Sequence, residues 1–314
     1  MDVANKSNHY LLTTGKVIVL SVILGYLIYR FDKVGVYDWH SYKTHFNENF
    51  LLLLFIGSGI FTAVNWFLEI FKWKELAETL RTISYKTAFK QTLAAFSVAV
   101  ITPARIGEYG LKAFYFKPAE RKKVFLLTLF SNVSQMVVTL IFGCFGLVFF
   151  LSENQVFFLK QRGLLILILL LPAVIIGYLF RRKTIFIKGF TLQNCFEFFI
   201  KLSIVTIAKV FLFSVLRYVI FSSMFYFLLL FFGMELPVTT AFLLIFTMYL
   251  LVSMLPTFLI FDVVIRGGVA VWLFAFYGVS EWIVISTVSV MWIYNFLIPA
   301  LLGSFFIAKF KPVS

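Results

Sequence analysis

The chain has 314 residues, of which 61% are hydrophobic, 20% are aromatic and only 13% are charged. Soluble domains are about half apolar and a quarter charged, so this composition excludes an ordinary soluble globular protein. The formal net charge of +14 would suggest nucleic acid in a soluble chain. Here the basic residues flank apolar runs, so we expect anionic lipid headgroups as partners and no nucleic acid.

The apolar residues form long runs that are unbroken or are broken by a single cation. In chain order, these runs cover residues 10–29, 50–68, 124–151, 164–180, 210–232, 236–261 and 282–308. A helix needs roughly 20 apolar residues to cross the hydrocarbon core, whereas the strands of a membrane barrel alternate apolar and polar positions. The sequence therefore predicts an all-α, polytopic membrane helix bundle with seven or eight transmembrane helices, in a single domain over residues 1–314.

The connecting segments differ in their content of Lys and Arg. Segments 1–16, 72–90, 105–123, 181–201 and 309–314 together contain twenty of these residues, whereas the segments between them contain five. Cytoplasmic loops carry the excess of basic residues in membrane proteins. We therefore expect a multi-pass protein of an inner or plasma membrane, with both termini in the cytoplasm.

Two uncharged stretches, residues 91–104 and 267–280, are too short to cross a membrane. Lengths of about 10–14 residues are typical of re-entrant or interfacial elements. The sequence therefore predicts one or two re-entrant or broken helices, the first at about 91–116 and the second at about 256–280.

Prolines and glycines indicate where these helices break. Pro103 and Pro256 each lack a backbone donor and clash with the preceding turn, so we expect a break at each. We expect Gly107, Gly267 and Gly268 to contribute to the same breaks, the last two by allowing close approach of a helix or a ligand. Interrupted segments in the two halves of the chain, here in mirrored order, indicate inverted repeats around a binding site.

The first charged constellation follows Pro103. Arg105, Glu108 and Lys112 are spaced i, i+3 and i+7, which places them on one face of a helix. The free N–H groups of a helix start and a bidentate Arg suit a phosphate, and Glu108 can hold Arg105 when the site is empty. Ionisable groups at membrane depth are usually functional, which favours substrate binding. The alternative is a cytoplasmic helix start with snorkelling cations and an ordinary ion pair.

The second constellation comprises Asp262 and Arg266, which are spaced i, i+4 and are followed by two glycines. The two side chains can pair on one helical face and share the cost of leaving water. We expect this pair to form the second part of the substrate-binding site. The alternative is a pair that only locks two broken helices together.

Weaker candidates are polar and aromatic residues inside apolar runs. Asn65 and Glu69, with Trp66 and Trp73, either line a cavity or, for the two tryptophans, anchor the chain at the membrane interface. Three amides are expected to hydrogen-bond neighbouring helices: Asn132, Gln135 and Asn295. Two cations are expected either to act in the membrane or to snorkel or pair: Lys209 and Arg217.

We find no constellation in the sequence that is typical of an enzyme. The cysteines and histidines form no cluster with metal-ligand spacing, and nucleophile–base pairs and phosphate-cradling Gly loops are missing. We therefore expect no catalytic activity, no cofactor and no metal. An enzyme acting on a lipid phosphate is a further alternative, for which Glu108 and Asp262 would be the only acids in the site.

The stretch 96–116, with Thr-Pro-Ala-Arg-Ile-Gly-Glu-Tyr at residues 102–109, resembles the lysylphosphatidylglycerol synthase transmembrane-region family, or flippase-like domain. That family has a Pro-Gly-Arg-Ile-Gly-Glu-type motif after a broken helix. Residues 256–270 resemble a second family element, with Arg266 at its Arg. The chain departs from the pattern in that Ala104 replaces a Gly and Gly267 replaces a Glu, for which an Asp one turn earlier can substitute.

The resemblance implies lipid handling without lipid synthesis, because the bifunctional members carry a soluble synthase domain after this region. It implies a flippase or lipid-binding transporter whose anionic, phosphate-bearing headgroup lies between the two broken segments. Arg105 and Arg266 would hold the headgroup, Glu108 and Asp262 would be counter-ions, and Lys112 would attract it from the cytoplasm. The alternative is an accessory membrane subunit that presents a lipid-linked substrate to a separate transferase.

Overall fold

The structure, a computed structural model, describes residues 48–102, 105–153, 197–254 and 262–313. Its elements are α1 (Glu48–Ala77), α2 (Tyr85–Ile101), α3 (Ile106–Phe114), α4 (Arg121–Glu153), α5 (Ile204–Phe231), α6 (Val238–Ser253), α7 (Asp262–Ala275), α8 (Glu281–Trp292), a π-helical segment (Ile293–Leu297) and α9 (Ile298–Ala308). Every regular element in these ranges is a helix, so the predicted all-α class is confirmed for them.

Four stretches among the described residues are long and apolar enough to cross a membrane. They are Leu51–Ala77, Arg121–Glu153, Ile204–Phe231 and Glu281–Ala308. Each contains or closely overlaps a predicted apolar run, and together they make the chain a multi-pass membrane protein. The predicted runs 10–29 and 164–180 lie outside the described residues. The run 236–261 forms the shorter helix α6, and its last part, from residue 255, also lies outside them.

The chain reverses after α2, and α3 packs back against α2. Ser84 caps the start of α2, where its side-chain oxygen accepts a hydrogen bond from the Thr87 backbone N–H. Nearly all of α2 beyond Gln91 is buried, because α1, α3 and α9 all pack around it. Pro103, where we expect the break, lies outside the described residues, as does Pro256 before α7.

Small residues allow several helix pairs to approach closely. Gly146 of α4 faces the backbone of α6 at Leu243, and Gly303 of α9 faces the backbone of α2 at Leu93. Beside this second contact, Ser97 donates a hydrogen bond of 2.6 Å to the Ala300 carbonyl. Lipid tails are as apolar as the helices, so close packing and interhelical hydrogen bonds replace the hydrophobic effect here.

A π-helical turn between α8 and α9 accommodates a proline. The Ile298 N–H donates to the Ile293 carbonyl, five residues earlier, and Pro299 follows directly. A proline ring clashes with the carbonyl four residues before it in an α-helix, and the wider π turn relieves that clash. The same turn contains Asn295, whose side chain is buried.

Hydrophobic side chains form two buried clusters. The larger one contains residues from each of the five helices α4 to α8, among them Phe225, Met248 and Phe274. The smaller one lies where the ends of α1, α2, α4 and α5 meet the segment after α3, and it includes Trp73 and Phe116. The charged residues of α1 and α3 are neighbours of this smaller cluster in sequence, which places them at one end of the bundle.

We expect Gly146→Ala to destabilise the α4–α6 contact, while Gly59→Ala does not destabilise the protein. An added Cβ at position 146 would lie 2.9 Å from the Thr247 backbone nitrogen, but no described atom lies within 4 Å at position 59. Overpacking costs about 1–3 kcal/mol, whereas the gain in helix propensity, about 1 kcal/mol, is common to both. Thermal unfolding in mild detergent measures the difference, and equal melting temperatures for the two variants would contradict the packing.

Candidate functional site

A strained turn positions the start of α3. Arg105 adopts a left-handed conformation with φ 58° and ψ 24°, which costs an L-residue about 1–2 kcal/mol. The Thr102 hydroxyl holds the turn, because it donates to the Val98 carbonyl at 2.9 Å and accepts from the Gly107 N–H at 3.0 Å. Gly107 is required there, since a Cβ would lie 2.8 Å from the Val98 carbonyl oxygen.

Glu108 binds two cations on the same face of α3. Its Oε2 lies 2.8 Å from Nη2 of Arg105, and its Oε1 lies 2.9 Å from Nζ of Lys112. Glu108 and Lys112 are buried, whereas the Arg105 side chain is 43% exposed. The spacing i, i+3, i+7 places the three groups together as predicted from the sequence, with Arg105 as the accessible member.

A second set of charges joins α1 to α5. Glu69 lies 3.0 Å from Nζ of Lys72 and also pairs with Arg217. The Arg217 Nε donates to Oδ1 of Asn65 at 3.2 Å, and the Asn65 amide donates to Oδ1 of Asn295 at 3.1 Å. These hydrogen bonds and ion pairs therefore connect α1, α5 and the π-helical segment, through side chains that are buried except for the partly exposed Arg217.

The two sets form one site around Trp73. Nζ of Lys112 lies 4.4 Å from the centroid of the Trp73 ring, whose N–H donates to Oε1 of Gln91 at 2.9 Å. Glu69 lies within electrostatic range of both Lys112 and Arg105. We call this group of six ionisable side chains the ion cluster: Glu69, Lys72, Arg105, Glu108, Lys112 and Arg217.

The ion cluster contains two residues, Lys72 and Arg217, that were not among the predicted site residues. Lys72 counted only as part of a basic connection, and Arg217 remained open between a role in the membrane and simple pairing. Of the interpretations left open for Trp73, the interface anchor is wrong, because the side chain is fully buried. The signal that was available is the spacing of Asn65, Glu69 and Lys72 at i, i+4 and i+7, which places three polar residues on one face of an apolar helix.

Asp262 and Arg266 form a separate, bidentate pair on α7. Arg266 donates to the carboxylate from Nε at 3.0 Å and from Nη2 at 3.1 Å, and both residues are buried. The guanidinium faces three rings at 5.3–5.7 Å, those of Phe221, Tyr249 and Phe296. Its Nη1 is buried without a hydrogen-bond partner in the described part of the chain.

Arg105 and Arg266, which we expected to hold one headgroup together as a clamp, lie in two neighbouring sites. Arg105 lies 6.0 Å from the Phe96 ring centroid, and the Phe96 and Phe296 centroids are 6.0 Å apart. Phe296 in turn lies 5.7 Å from Arg266. A chain of two aromatic rings therefore connects the guanidinium groups, and each arginine pairs with a carboxylate of its own helix.

The glycines after Arg266 are both buried on α7. No described atom lies within 4 Å of the position that a Cβ would take at Gly267. Close helix packing within the described residues therefore does not require a glycine at this position.

The weaker candidates form interhelical contacts. Asn132 donates to the Tyr109 hydroxyl at 3.0 Å, and Gln135 donates to the Ser214 carbonyl at 3.3 Å. Together with the Asn65–Asn295 bond, these contacts confirm the predicted role of the three amides. Lys209 pairs with Glu75 at 2.8 Å at an exposed position, and thus makes an ordinary ion pair.

One family model matches the chain over residues 15–303, and its description is the lysylphosphatidylglycerol synthase transmembrane region. The match covers both charged constellations, three of the four long apolar stretches described above and most of the fourth, Glu281–Ala308. No curated protein and no solved structure matches the chain.

We expect Gly107→Ala to distort the start of α3, and Gly110→Ala on the same helix to have no such effect. A Cβ at position 107 meets the Val98 carbonyl and the Thr102 hydroxyl at 2.8 Å each, whereas no described atom lies within 4 Å at position 110. Thermal unfolding of both variants measures the cost, about 1–3 kcal/mol for overpacking. Equal stability of the two variants would contradict the close turn.

We expect Glu108→Gln to destabilise the protein strongly, because it leaves Lys112 fully buried without its carboxylate. Breaking a buried ion pair from one side costs about 3–5 kcal/mol, whereas replacing both partners by neutral groups costs little. The double variant Glu108→Gln, Lys112→Met should therefore be more stable than the single one in equilibrium unfolding. A double variant as unstable as Glu108→Gln alone would show that the pair does not carry this cost.

Proposed function

The chain belongs to the lysylphosphatidylglycerol synthase transmembrane-region family, and from this premise we propose that it is a lipid flippase or lipid-binding transporter. Family membership supports a lipid-related function in a membrane. The finer proposal is that an anionic, phosphate-bearing headgroup binds inside the membrane domain, at the ion cluster and the neighbouring Asp262–Arg266 pair.

The observation that carries this proposal is the excess of buried positive charge in the ion cluster. Four cations face two carboxylates, and Lys72 and Lys112 are almost completely buried. Charges removed from water are costly unless they are balanced, and a net positive charge inside a membrane domain attracts an anion. Arg105 is the accessible entry to this charge, because its side chain is partly exposed and its Nε has no described hydrogen-bond partner.

We assign the following roles to the site residues. Arg105 contacts the headgroup, and Lys112 adds positive charge behind it. Glu108 pairs with both cations when the site is empty and yields part of its contacts to the ligand when the site is occupied. Asp262 and Arg266 act in the same way on the other side of the aromatic rings.

The proposal includes a membrane topology and a mode of action. We propose seven or eight spans, both termini in the cytoplasm of an inner or plasma membrane, and alternating access by rocking of one half of the bundle against the other. The sequence carries no nucleotide-binding motif, so any transport would run downhill or be coupled to an ion. We propose no catalytic role for the domain, because the buried acids described at the site, Glu69, Glu108 and Asp262, are paired with cations.

Native mass spectrometry of the protein purified in mild detergent tests the proposal. We expect a discrete anionic lipid on the wild-type chain and its loss in Arg105→Ala or Arg266→Ala. Lys209→Ala is the control, because it removes a cation from an exposed pair outside the ion cluster.

Two outcomes would contradict the proposal. Retention of the same lipid by both arginine variants would make these residues members of structural ion pairs only. Absence of lipid together with co-purification of a soluble transferase in stoichiometric amount would favour the accessory subunit.

A further inference from the structure

We propose that the ion cluster binds a doubly charged phosphate, such as a phosphate monoester, between α1, α3 and α5. This inference rests on the proposed function and makes it more specific, because it names the charge of the ligand and the helices that hold it. It also assigns binding roles to Lys72 and Arg217, which the headgroup clamp of Arg105 and Arg266 does not include.

The first step is the charge of the site. The ion cluster has four cations and two carboxylates, which leaves two positive charges in excess. In the described part of the chain, the ion pairs of these cations go to Glu69 and Glu108. The Arg266 site differs, because Asp262 neutralises it with two hydrogen bonds. The excess positive charge is therefore on the α1, α3 and α5 side of the aromatic rings.

The second step concerns the other acids of the chain, two of which pair with cations outside the ion cluster. Among the other described acids, Glu75 pairs with Lys209 and Glu78 pairs with Lys74. Outside the described residues the sequence contains three acids, and all of them precede α1: Asp2, Asp32 and Asp38. From the distribution of basic residues, we expect Asp32 and Asp38 on the side of the membrane opposite to the basic segments 72–90 and 105–123.

The third step is the match with the ligand. A phosphate monoester carries about two negative charges near neutral pH and offers three acceptor oxygens, whereas a phosphodiester carries one charge. A monoester therefore balances both excess positive charges, whereas a diester leaves one of them unbalanced in a medium of low dielectric constant. Free inorganic phosphate has the same chemistry, so the shared feature is the doubly charged phosphate group.

The fourth step is that donors and an entrance are present. Arg105 and Arg217 are the partly exposed members of the ion cluster, with 43% and 20% of their side chains accessible. The Arg105 Nε and the Trp66 indole N–H are buried without a described hydrogen-bond partner. Trp66 packs on Phe96 at 4.8 Å between ring centroids, and Phe96 also contacts Arg105. Unused donors thus lie beside the accessible guanidinium.

The test compares two lipids that differ in headgroup charge. The full chain is placed in nanodiscs that contain equal amounts of phosphatidic acid and phosphatidylglycerol with the same acyl chains, and the lipid retained after transfer to detergent is measured by native mass spectrometry. We expect phosphatidic acid to be retained about tenfold more than phosphatidylglycerol, since one additional buried charge pair is formed.

Charge variants decide whether the ion cluster sets this ratio. Lys72→Met and Arg217→Met each lower the excess to one positive charge and should bring the ratio close to one. The double variant Glu69→Gln, Lys72→Met keeps an excess of two and should keep the preference, which also shows that the change of charge rather than misfolding causes the loss. Lys74→Met, in an ion pair with Glu78 outside the cluster, is the control and should behave like the wild type.

The outcomes separate this inference from the proposed function. Equal retention of both lipids, with loss of both in Arg105→Ala, would overturn the doubly charged ligand and leave the lipid-binding function in place. Failure to retain any anionic lipid would overturn the lipid source. In that case, stabilisation of the wild type by inorganic phosphate, lost in Lys72→Met, would support a free phosphate as ligand, and no stabilisation would overturn the inference entirely.

Discussion

The carboxylate of Glu108 is the group on which the charged part of the structure depends. It binds Arg105 and the fully buried Lys112 at the same time, and it allows a lysine to lie against the face of Trp73 inside a membrane domain. Without it, Lys112 would carry an unpaired charge in a medium of low dielectric constant. Glu69 performs the same task for Lys72 and Arg217. Two acids thus stabilise four cations, and we propose that the remaining positive charge attracts an anion.

The backbone places this chemistry at a point of strain. Arg105 is the only residue other than glycine with a positive φ in the described part of the chain, and the Thr102 hydroxyl and the closely packed Gly107 hold its turn in place. Such conformations persist only where the surroundings fix them, and they are common at ligand-binding positions. The strained turn presents the accessible arginine, while α3 carries its buried partners. Backbone and charge therefore specify the same position.

The helices and the local part of the site are predictable from the sequence, whereas the assembly of the site is not. Uninterrupted apolar runs predict the long helices because each must span the hydrocarbon core, and the spacing of Arg105, Glu108 and Lys112 predicts their pairing within one helix. The pair between Glu69 and Arg217 spans 148 residues of sequence, and no periodic pattern joins two helices that far apart. For the same reason, the sequence could not predict the relative position of Arg105 and Arg266, because it depends on how the helices pack in three dimensions.

An experimental structure of the protein in nanodiscs that contain phosphatidic acid tests the central claim most directly. We expect a phosphate group within hydrogen-bond distance of Arg105, with Glu108 still bound to Lys112 behind it. The excess charge of the ion cluster would then be balanced by the ligand. If a carboxylate of Asp32 or Asp38 occupied this position instead, the chain would balance its own charge, and the anion-binding function of the cluster would be contradicted.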